Sequence, residues 1–347
     1  MPRKERMKRM RKATPFTLSV LAAVLALSLM FTIPSGAITE EAQNRYFDAL
    51  WEEDYEEEYE ARLEPVAVLA NAVFSDILPA ANVASLDDDL FAPGSAPIAE
   101  NFTENGYRDE TIIVEMDKQR MYDSDVYIAY VKIATPSQIR TAIAGKKMGA
   151  SSTNHTSVIS KNYNGIVAIN GDYYTKTKAG YIVRMGKTYR EKTSKNMDLL
   201  LIDELGDFHI LQKGHDNQKD ALAAFQSEHE IVNGFFFGPG LVIDGEVQEI
   251  PKDYQFDPNQ KNPRAGIAQL GTLTYALVVV NGRTNDSEGV TMAEFADVMH
   301  QLGAQQAYNL DGGNSATLVF NGEVYNDKPQ AERSVTDILY FASAIGE

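Results

Sequence analysis

The chain has 347 residues, of which 44% are hydrophobic, no cysteine, and a formal net charge of −17 at pH 7. The length allows one large or two modest domains, and stability has to come from a packed core rather than from disulfides. Seven basic residues and one acid lie within residues 1–37, so the remainder carries 25 − 48 = −23. That charge argues against binding nucleic acid through its phosphates.

The N-terminus has the pattern of a targeting segment. A basic stretch precedes an apolar run at residues 16–33 and small residues at 35–37, which is typical of a secretory signal peptide. The run is also at the short end of a membrane span. We therefore predict that residues 1–37 are either a cleaved signal peptide or an uncleaved anchor with its basic end in the cytoplasm. In both cases the protein is expected to be exported to the cell surface or outside the cell.

Residues 38–104 differ in composition from the rest of the chain. Residues 40–60 contain ten acids and one arginine, with aromatic residues at 47, 51, 55 and 59, a spacing that shares one helix face. A second apolar helix is predicted over 66–77, and 80–97 has the composition of a linker. We predict an acidic helical stalk with a linker, or alternatively a helix that docks a partner. The folded domain is expected to occupy residues 105–347.

Within that domain, short apolar runs separated by turn residues predict hairpins over 111–133, 181–190, 198–211 and 241–250. Helices are predicted over 217–229, over 291–303 from a capping box at Thr291 and Glu294, and from the Thr135-Pro136 pair. A final strand is predicted over 337–342. Because strands outnumber helices, the pattern indicates an α+β fold with a large mixed, mostly antiparallel sheet and packed helices. A helical and linker region precedes it.

Four of the apolar runs end in Asn-Gly or Asp-Gly, at Asn170, Asn233, Asn281 and Asp311. We predict that these strand ends gather at one rim of the sheet, although each pair also suits an ordinary hairpin turn. The ends at Asn170 and Asp311 carry the most additional polar groups, so they are the first candidates for a functional site.

The stretch after residues 306–310 combines an acid, two glycines and two polar side chains, namely Asp311, Gly312, Gly313, Asn314 and Ser315. Glycine permits left-handed or closely approached backbone. Free N–H groups at such a turn suit a ligand that is part anion and part hydroxyl. The alternative is a tight turn closed by an Asx-type bond from Asp311.

Four motifs, in this order, resemble those of the phosphodiester glycosidase family: AINGDYY at 168–174, NPRAGIA at 262–268, NLDGGNSAT at 309–317 and ERSVTD at 332–337. The resemblance covers about residues 105–345. Ala265 stands where Thr is common in the family, Asn314 where a third Gly is common, and Ser334 where Pro is common. The family includes the lysosomal enzyme that removes N-acetylglucosamine from phosphodiester-masked mannose phosphate, and bacterial proteins linked to exopolysaccharide.

The resemblance implies a hydrolase that cleaves sugar-1-phosphodiester bonds in cell-surface or exopolysaccharide glycans. The N-terminal targeting pattern and the absence of cysteine suit an exported bacterial protein. Such cleavage needs a carboxylate near the anomeric carbon, for which Asp311 and Asp172 are the candidates. It also needs cationic groups at the phosphate, for which Arg264 and Arg333 are the candidates because a guanidinium matches two phosphate oxygens. The further candidates for substrate binding and site shape are Asn170, Gly312, Gly313, Asn314, Ser315 and His155. The alternative is a non-catalytic glycan-binding or envelope-assembly protein with the same fold.

Two groups of charged residues permit a structural interpretation as well. Arg333 binds phosphate in the interpretation above, but Glu332 or Asp337 could instead form a structural ion pair with it. Asp117, Asp123 and Asp125 on one predicted loop suit either a calcium site or a solvated turn.

The sequence lacks Walker, HExxH, CxxC and GxSxG motifs, which removes the usual signatures of nucleotide hydrolysis, zinc proteolysis and serine esterase chemistry. It indicates no required cofactor and leaves a divalent metal open. The expected partners are a glycan or sugar phosphodiester and, if the N-terminal segment is uncleaved, the membrane.

Overall fold

The computed structural model describes residues 92–145, 152–175, 180–193, 196–213 and 218–345. All of these residues belong to one compact unit. The predicted signal or anchor segment, the acidic stalk and most of the predicted linker lie outside the described residues. Among the helices formed by the described residues, none has the length and apolar character that crossing a membrane requires.

Strands are the main elements of the described chain. In chain order they are β1 Phe102–Thr103, β2 Gly106–Arg108, β3 Ile112–Met121, β4 Ser124–Ile133, β5 Ile139–Ile143, β6 Val167–Asn170, β7 Gly180–Arg184, β8 Lys187–Lys192, β9 Leu199–Asp203, β10 Phe208–Leu211, β11 Ile231–Phe236, β12 Gly240–Ile243, β13 Glu246–Val247, β14 Arg264–Gly271, β15 Thr274–Val280, β16 Gln306–Leu310, β17 Leu318–Phe320, β18 Glu323–Val324 and β19 Asp337–Phe341. The α-helices are α1 Thr156–Asn162, α2 Gln218–Glu228 and α3 Met292–Gln301.

These strands form three sheets, all with antiparallel pairing between the described strands. The largest has nine strands in the order β1-β2-β3-β4-β15-β14-β16-β12-β13. The other two have five strands each, in the orders β10-β9-β11-β7-β8 and β18-β17-β6-β19-β5. The α+β class with mostly antiparallel strands is therefore confirmed, with the strands divided among one large and two smaller sheets.

Strand β15 shows where the core sits. All seven of its residues are buried, so this central strand is covered on both faces of the nine-stranded sheet. Tyr275, Leu277 and Val279 point into the larger apolar cluster, while the alternate residues enter a second cluster with α3. Because side chains alternate between the two faces of a strand, one run of apolar residues supplies both layers.

Helix α3 begins as the sequence predicts. The Thr291 hydroxyl accepts from the N–H of Glu294, and the Glu294 carboxylate accepts from the N–H of Thr291, which completes a capping box. The buried face includes Phe295 and Met299 and packs on the nine-stranded sheet. A Cβ added to Gly266 of β14 would lie 2.6 Å from the terminal methyl of Met299, so the small residue lets the helix approach the sheet.

Two local predictions are wrong. The helix predicted from Thr135-Pro136 is a single 3-10 turn over Pro136–Gln138, because the following residues pair with β19 as strand β5. The Asn233-Gly234 pair does not end a strand either. It lies inside β11, where the Asn233 carboxamide oxygen accepts from the hydroxyl of Thr141 at 2.7 Å and from the N–H of Met185 at 3.1 Å. In both cases long-range partners outweigh the local turn signal.

The N-terminal edge of the fold lies before residue 105. The N–H of Gly94 donates to the carbonyl of Tyr163 at 3.2 Å, and Ser95 forms a β-bridge with Ser343. Residues 94 and 95, predicted to lie in a linker, thus pack against the folded domain.

Candidate active site

Asn170 links two of the strand ends that the sequence analysis singled out. It is the last residue of β6, and its buried side-chain amide donates to the carbonyl oxygen of Asp311 at 2.7 Å. Its carboxamide oxygen accepts from the N–H of Thr317 at 3.1 Å. Asn170 thereby holds both ends of the segment 311–317, which we call the Asp311 turn.

Close backbone contacts bring a third strand end to the same place. The N–H of Gly313 donates to the carbonyl of Pro263 at 2.8 Å, and a Cβ on Gly312 would stand 2.7 Å from that oxygen. A Cβ on Gly282, after β15, would stand 2.9 Å from the nitrogen of Pro263. Three of the four predicted strand ends therefore meet, and glycine is required where the chains touch.

Asp311 carries the carboxyl group of this turn. It is half-buried, and burial raises the pKa of its carboxyl to about 6. The Ser315 hydroxyl, the charge of Arg333 and the N–H of Gly312 oppose that shift, while the charge of Asp172 adds to it. A carboxyl with a pKa near neutrality can exist in both protonation states at physiological pH, as acid–base chemistry requires.

Asp172 belongs to a buried charge cluster with Arg184 and Asp337, which we call the buried triad. The three side chains are fully shielded from solvent. Nη2 of Arg184 lies 2.9 Å from Oδ1 of Asp172 and 2.7 Å from Oδ2 of Asp337, and Nε donates to the same Asp337 oxygen at 2.8 Å. The N–H of Phe236 donates to the second oxygen of Asp172 at 3.0 Å. Asp172 is thus bound inside the protein.

One guanidinium faces two carboxylates in the buried triad. Burial, followed by the charge of Asp172, raises the pKa of Asp337, whereas Arg184 opposes the shift. Sequence reasoning missed Arg184, although a lone arginine in the apolar run YIVRM was a usable signal. An arginine inside a buried strand requires a carboxylate partner.

Arg264 is buried, and its guanidinium donates to backbone carbonyls. Nε bonds to Val290 at 3.1 Å, and Nη2 bonds to Asp257 and Gln260 at 3.0 and 2.8 Å. Burial lowers the pKa of Arg264 to about 10. These bonds hold the loop between β13 and β14 against β14. The phosphate-binding role of Arg264 stays a prediction, and these contacts give the residue a structural role beside it.

Arg333 is the more accessible of the two arginines predicted to bind phosphate. It is exposed, its Nη2 donates to the hydroxyl of Tyr173 at 3.2 Å, and its guanidinium carbon lies 5.5 Å from the centre of that ring. Its charge lowers the pKa of Asp311, which places it near the carboxyl. The guanidinium therefore borders the Asp311 turn and faces solvent.

Two further cations border the turn, and sequence reasoning missed both. The exposed Arg283 donates to the side-chain oxygen of Asn314 at 3.3 Å and to that of Asn262 at 2.7 Å. Nζ of Lys328 donates to the carbonyl of Ala316 and the hydroxyl of Thr317, both at 2.7 Å. Burial lowers the pKa of Lys328 to about 8. Arg283 directly follows an Asn-Gly strand end, and that position was a usable signal.

The remaining predicted residues complete the turn. Gly313 has a φ of +59°, the left-handed conformation that glycine adopts at little cost. Ser315 is buried, and its N–H donates to the carbonyl of Gly312 at 3.1 Å. Asn314 is exposed, with its amide donating to Gln330 at 2.8 Å. Residues 311–317 therefore form a tight turn, and the same turn carries the side chains predicted to bind a ligand.

His155 lies beside Glu332, outside these contacts. Its Nδ1 is 3.9 Å from a Glu332 carboxylate oxygen, with nearly half of the imidazole exposed. Glu332 also accepts from the N–H and the hydroxyl of Ser157, at 3.0 and 2.6 Å. The suggestion that Glu332 and Asp337 pair with Arg333 is wrong, because Glu332 binds the start of α1 and Asp337 binds Arg184.

The loop that suits either a calcium site or a solvated turn is part of an ion-paired hairpin. Asp125 binds Lys118 at 3.0 Å and Arg120 at 2.9 Å, and Asp117 accepts from the side chain of Gln119 at 2.8 Å. Among the residues that the structure describes, these aspartates do not form a group able to hold a metal ion. The solvated-turn alternative is the one that the structure supports.

Comparison with known proteins shows which family the chain matches and which solved structures have a similar fold. A model of the phosphodiester glycosidase family matches residues 163–342, just over half of the chain and the part that contains the Asp311 turn and the buried triad. The SPbeta prophage-derived uncharacterized protein YomE of Bacillus subtilis is 32% identical over 108 residues, which are 31% of this chain and 17% of that protein. The match thus spans less than a fifth of that relative.

Solved structures are similar at lower identity. The zebrafish N-acetylglucosamine-1-phosphodiester alpha-N-acetylglucosaminidase catalytic domain, auto-inhibited by its pro-peptide, aligns with a TM-score of 0.51 at 17% identity, covering 72% of this chain and 87% of that one. A hypothetical protein from Synechocystis aligns with a TM-score of 0.47 at 17% identity, covering 67% of this chain and 62% of that one. The zebrafish match concerns the fold.

Proposed function

Because the chain belongs to the phosphodiester glycosidase family, we propose that it hydrolyses the bond between the anomeric carbon of a sugar and the oxygen of a phosphodiester. The observation that carries this proposal is the setting of Asp311. Its half-buried carboxyl has a pKa raised to about 6 and lies on a turn that Arg283, Lys328 and Arg333 border. One carboxyl group and several cations are the groups that this reaction needs.

The chemistry divides between the two halves of the substrate. The bond from the anomeric carbon to the phosphodiester oxygen breaks with its electron pair moving to that oxygen, while water adds to the carbon and gives up a proton. An ionised Asp311 stabilises the positive charge that develops on the sugar and accepts the proton from water. The products are the free sugar and a phosphomonoester, a weakly basic leaving group that needs little proton donation.

The cations act on the leaving group. Arg333 and Arg283 are exposed and present guanidinium groups, which bind two phosphate oxygens at once. Preorganised positive charge at the phosphate stabilises the transition state. A local cluster is needed because the chain is acidic as a whole, and that charge repels an anionic substrate.

Asp172 contributes through position. Its two oxygens are held by Arg184 and by the N–H of Phe236, and its negative charge helps to raise the pKa of Asp311. In this proposal Asp311 is the catalytic carboxylate and Asp172 is a positioning residue that keeps Asp311 poised near neutrality.

The proposal extends to substrate and location. The substrate is a sugar-1-phosphodiester in a cell-surface or exopolysaccharide glycan, and the protein is exported. The N-terminal basic and apolar pattern supports export, and the family resemblance supports the substrate class. The name of the similar zebrafish enzyme makes N-acetylglucosamine the first sugar to test.

The decisive experiment measures sugar release. The purified full-length chain is incubated with N-acetylglucosamine-1-phosphodiester and with the matching compounds of other sugars, and free reducing sugar is followed over time. Asp311→Asn should lower turnover by roughly 10²–10⁴-fold, the contribution of a positioned acid or base. Asp220→Asn, on the exposed surface of α2, is the matched control and should leave turnover unchanged.

Two outcomes would overturn the proposal. Equal turnover in Asp311→Asn and the control would make Asp311 a turn residue. Binding of the phosphodiesters without sugar release, measured by calorimetry, would favour the non-catalytic glycan-binding alternative. Localisation is tested separately, by cell fractionation with and without residues 1–37.

A further inference from the structure

A second cluster of titratable side chains lies at the edge of the five-stranded sheet that contains β9. Asp203 ends β9 and Glu204 follows it, His209 lies on β10, and His229 follows the last residue of α2. None of these four residues is among the predicted site residues. Carboxylate oxygens and imidazole nitrogens are common ligands of divalent transition metals.

This cluster is separate from the Asp311 turn. Asp203 pairs with Ile231 at one end of β11, whereas Leu199 pairs with Phe236 at the other end. The N–H of Phe236 contacts Asp172 of the buried triad. Leu199 and Asp203 are four steps apart along β9, which is roughly 13 Å at the rise of a strand. The cluster therefore needs an explanation of its own, independent of the proposed function.

The ligand atoms are spaced as a metal site requires. Nδ1 of His229 lies 3.7 Å from Oδ2 of Asp203 and 3.6 Å from Oε1 of Glu204, and Nε2 of His209 lies 2.9 Å from the same Asp203 oxygen. One ligand atom each from Asp203, Glu204 and His229 lies within 4.8 Å of the others. A tetrahedral zinc ion with bonds of about 2.0–2.2 Å sets its ligand atoms roughly 3.4 Å apart.

Neighbouring N–H groups leave one oxygen of each carboxylate for a ligand. Oδ1 of Asp203 accepts from the N–H groups of Leu205 and Asp207, at 2.9 and 2.8 Å, so Oδ2 faces the histidines. Oε2 of Glu204 accepts from the N–H of Glu230 at 2.9 Å, while Oε1 faces His229. Both carboxylates are thus oriented before any ion arrives, as ligands supported by their own hydrogen bonds are.

The imidazole of His229 gives the sharpest indication. Within the described residues, its buried Nδ1 has no hydrogen-bond partner, although buried polar atoms almost always have one. Phe225 fixes both rings, stacking on His229 with centroids 4.7 Å apart and packing against His209 at 4.7 Å. His209 hydrogen-bonds to Asp203, whereas Nδ1 of His229 lies 3.6–3.7 Å from the two carboxylates, too far for a hydrogen bond and at the spacing of two ligands of one ion.

We propose that Asp203, Glu204 and His229 bind a divalent transition metal ion, with Zn²⁺ the best fit. The two carboxylates balance the charge of the ion, the three side chains leave the fourth tetrahedral position to water, and His209 supports Asp203 through its hydrogen bond. The ion ties the β9–β10 hairpin to the end of α2. Its role is to stabilise this edge of the sheet.

Zinc binding is tested on the full-length chain after treatment with a chelator and dialysis. Titration with Zn²⁺ against a competing fluorescent chelator should give one ion per chain, and saturating Zn²⁺ should raise the thermal unfolding midpoint, because a ligand of the folded state stabilises it. Co²⁺ should give the intense visible absorption of tetrahedral coordination. His229→Gln should weaken Zn²⁺ binding by at least about tenfold, because the loss of a residue that merely supports a ligand already costs about that much.

The matched control is His300→Gln, at an exposed position near the end of α3, which should bind Zn²⁺ as the parent does. If His229→Gln does not fold, Glu204→Gln provides the same test at a partly exposed residue. The proposal fails if the parent does not compete with the chelator for Zn²⁺. It also fails if His300→Gln loses as much Zn²⁺ affinity as His229→Gln or Glu204→Gln.

Discussion

The Asp311 turn and the buried triad both contain aspartate and arginine, but they use them differently. In the triad, Arg184 is sealed between Asp172 and Asp337, and the charges compensate one another inside the protein. At the turn, Arg283 and Arg333 are exposed. The guanidinium of Arg184 is fully paired within the protein, whereas those of Arg283 and Arg333 face solvent at a glycine-rich turn, where an anionic ligand can reach them.

The largest effect is expected from removing the cation of the triad. Arg184→Met leaves two buried carboxylates uncompensated, and we expect the free energy of unfolding to fall by about 3–5 kcal/mol. Urea unfolding followed by circular dichroism measures it. Arg108→Met, at an exposed position on β2, should change stability by no more than about 0.5 kcal/mol. Similar losses in the two variants would remove the distinction between triad and surface charge.

The next effect separates the two possible roles of Arg264. Its guanidinium binds backbone carbonyls, so Arg264→Lys should reduce cleavage of a phosphodiester and of a phosphate-free aryl glycoside by the same factor. Arg333→Lys should reduce only the first, because an ammonium cannot replace a two-pronged phosphate contact. Kinetics on both substrates decide this. A loss confined to the phosphodiester in Arg264→Lys would restore the phosphate role predicted from sequence.

A smaller effect concerns pH. Burial raises the pKa of Asp311 from 3.8 to about 6 in the folded protein, so its ionised form predominates above that pH and kcat should reach a plateau there. For stability the sign is opposite. The contribution of the protonated form is fully present below pH 3.8 and is lost as the pH rises through about 6. The difference in urea midpoint between the parent and Asp311→Asn, measured from pH 4 to 8, should follow this course, and a constant difference would contradict it.

The smallest effect refines the same comparison. The charge of Arg333 lowers the pKa of Asp311, so Arg333→Gln should move the acidic limb of the kcat profile to higher pH. Arg108→Gln serves as the distant control and should leave the limb in place. An unmoved limb in Arg333→Gln would show that Arg333 does not act on Asp311.

Sequence reasoning succeeded where the signal was local. The hairpin over 241–250 and the helix from Thr291 are present because a turn dipeptide and a capping box act within a few residues. The same locality explains why Asn170 and Asp311 were recognised as strand ends. It also explains the error at Asn233, where an identical dipeptide lies inside β11 and is held by Thr141, 92 residues away in the sequence.

The site itself was only partly predictable. Asp311 and its glycines follow from their pattern, but the partners of Arg184 lie 12 and 153 residues away, and no spacing rule connects them. Arg264 and Arg333 look equivalent in the sequence. Only the packing of the loop before β14 separates an arginine that binds carbonyls from one that faces solvent.

The position of β19 also constrains when the molecule can become native. This strand lies between β6 and β5 in its sheet, and its first residue, Asp337, completes the buried triad. During synthesis on the ribosome, β6 emerges about 170 residues before the strand that must pair with it, a separation that makes closure of the sheet slow. The nascent chain therefore spends most of its translation without this sheet and without the buried triad, both of which form only when the last strand has been synthesised.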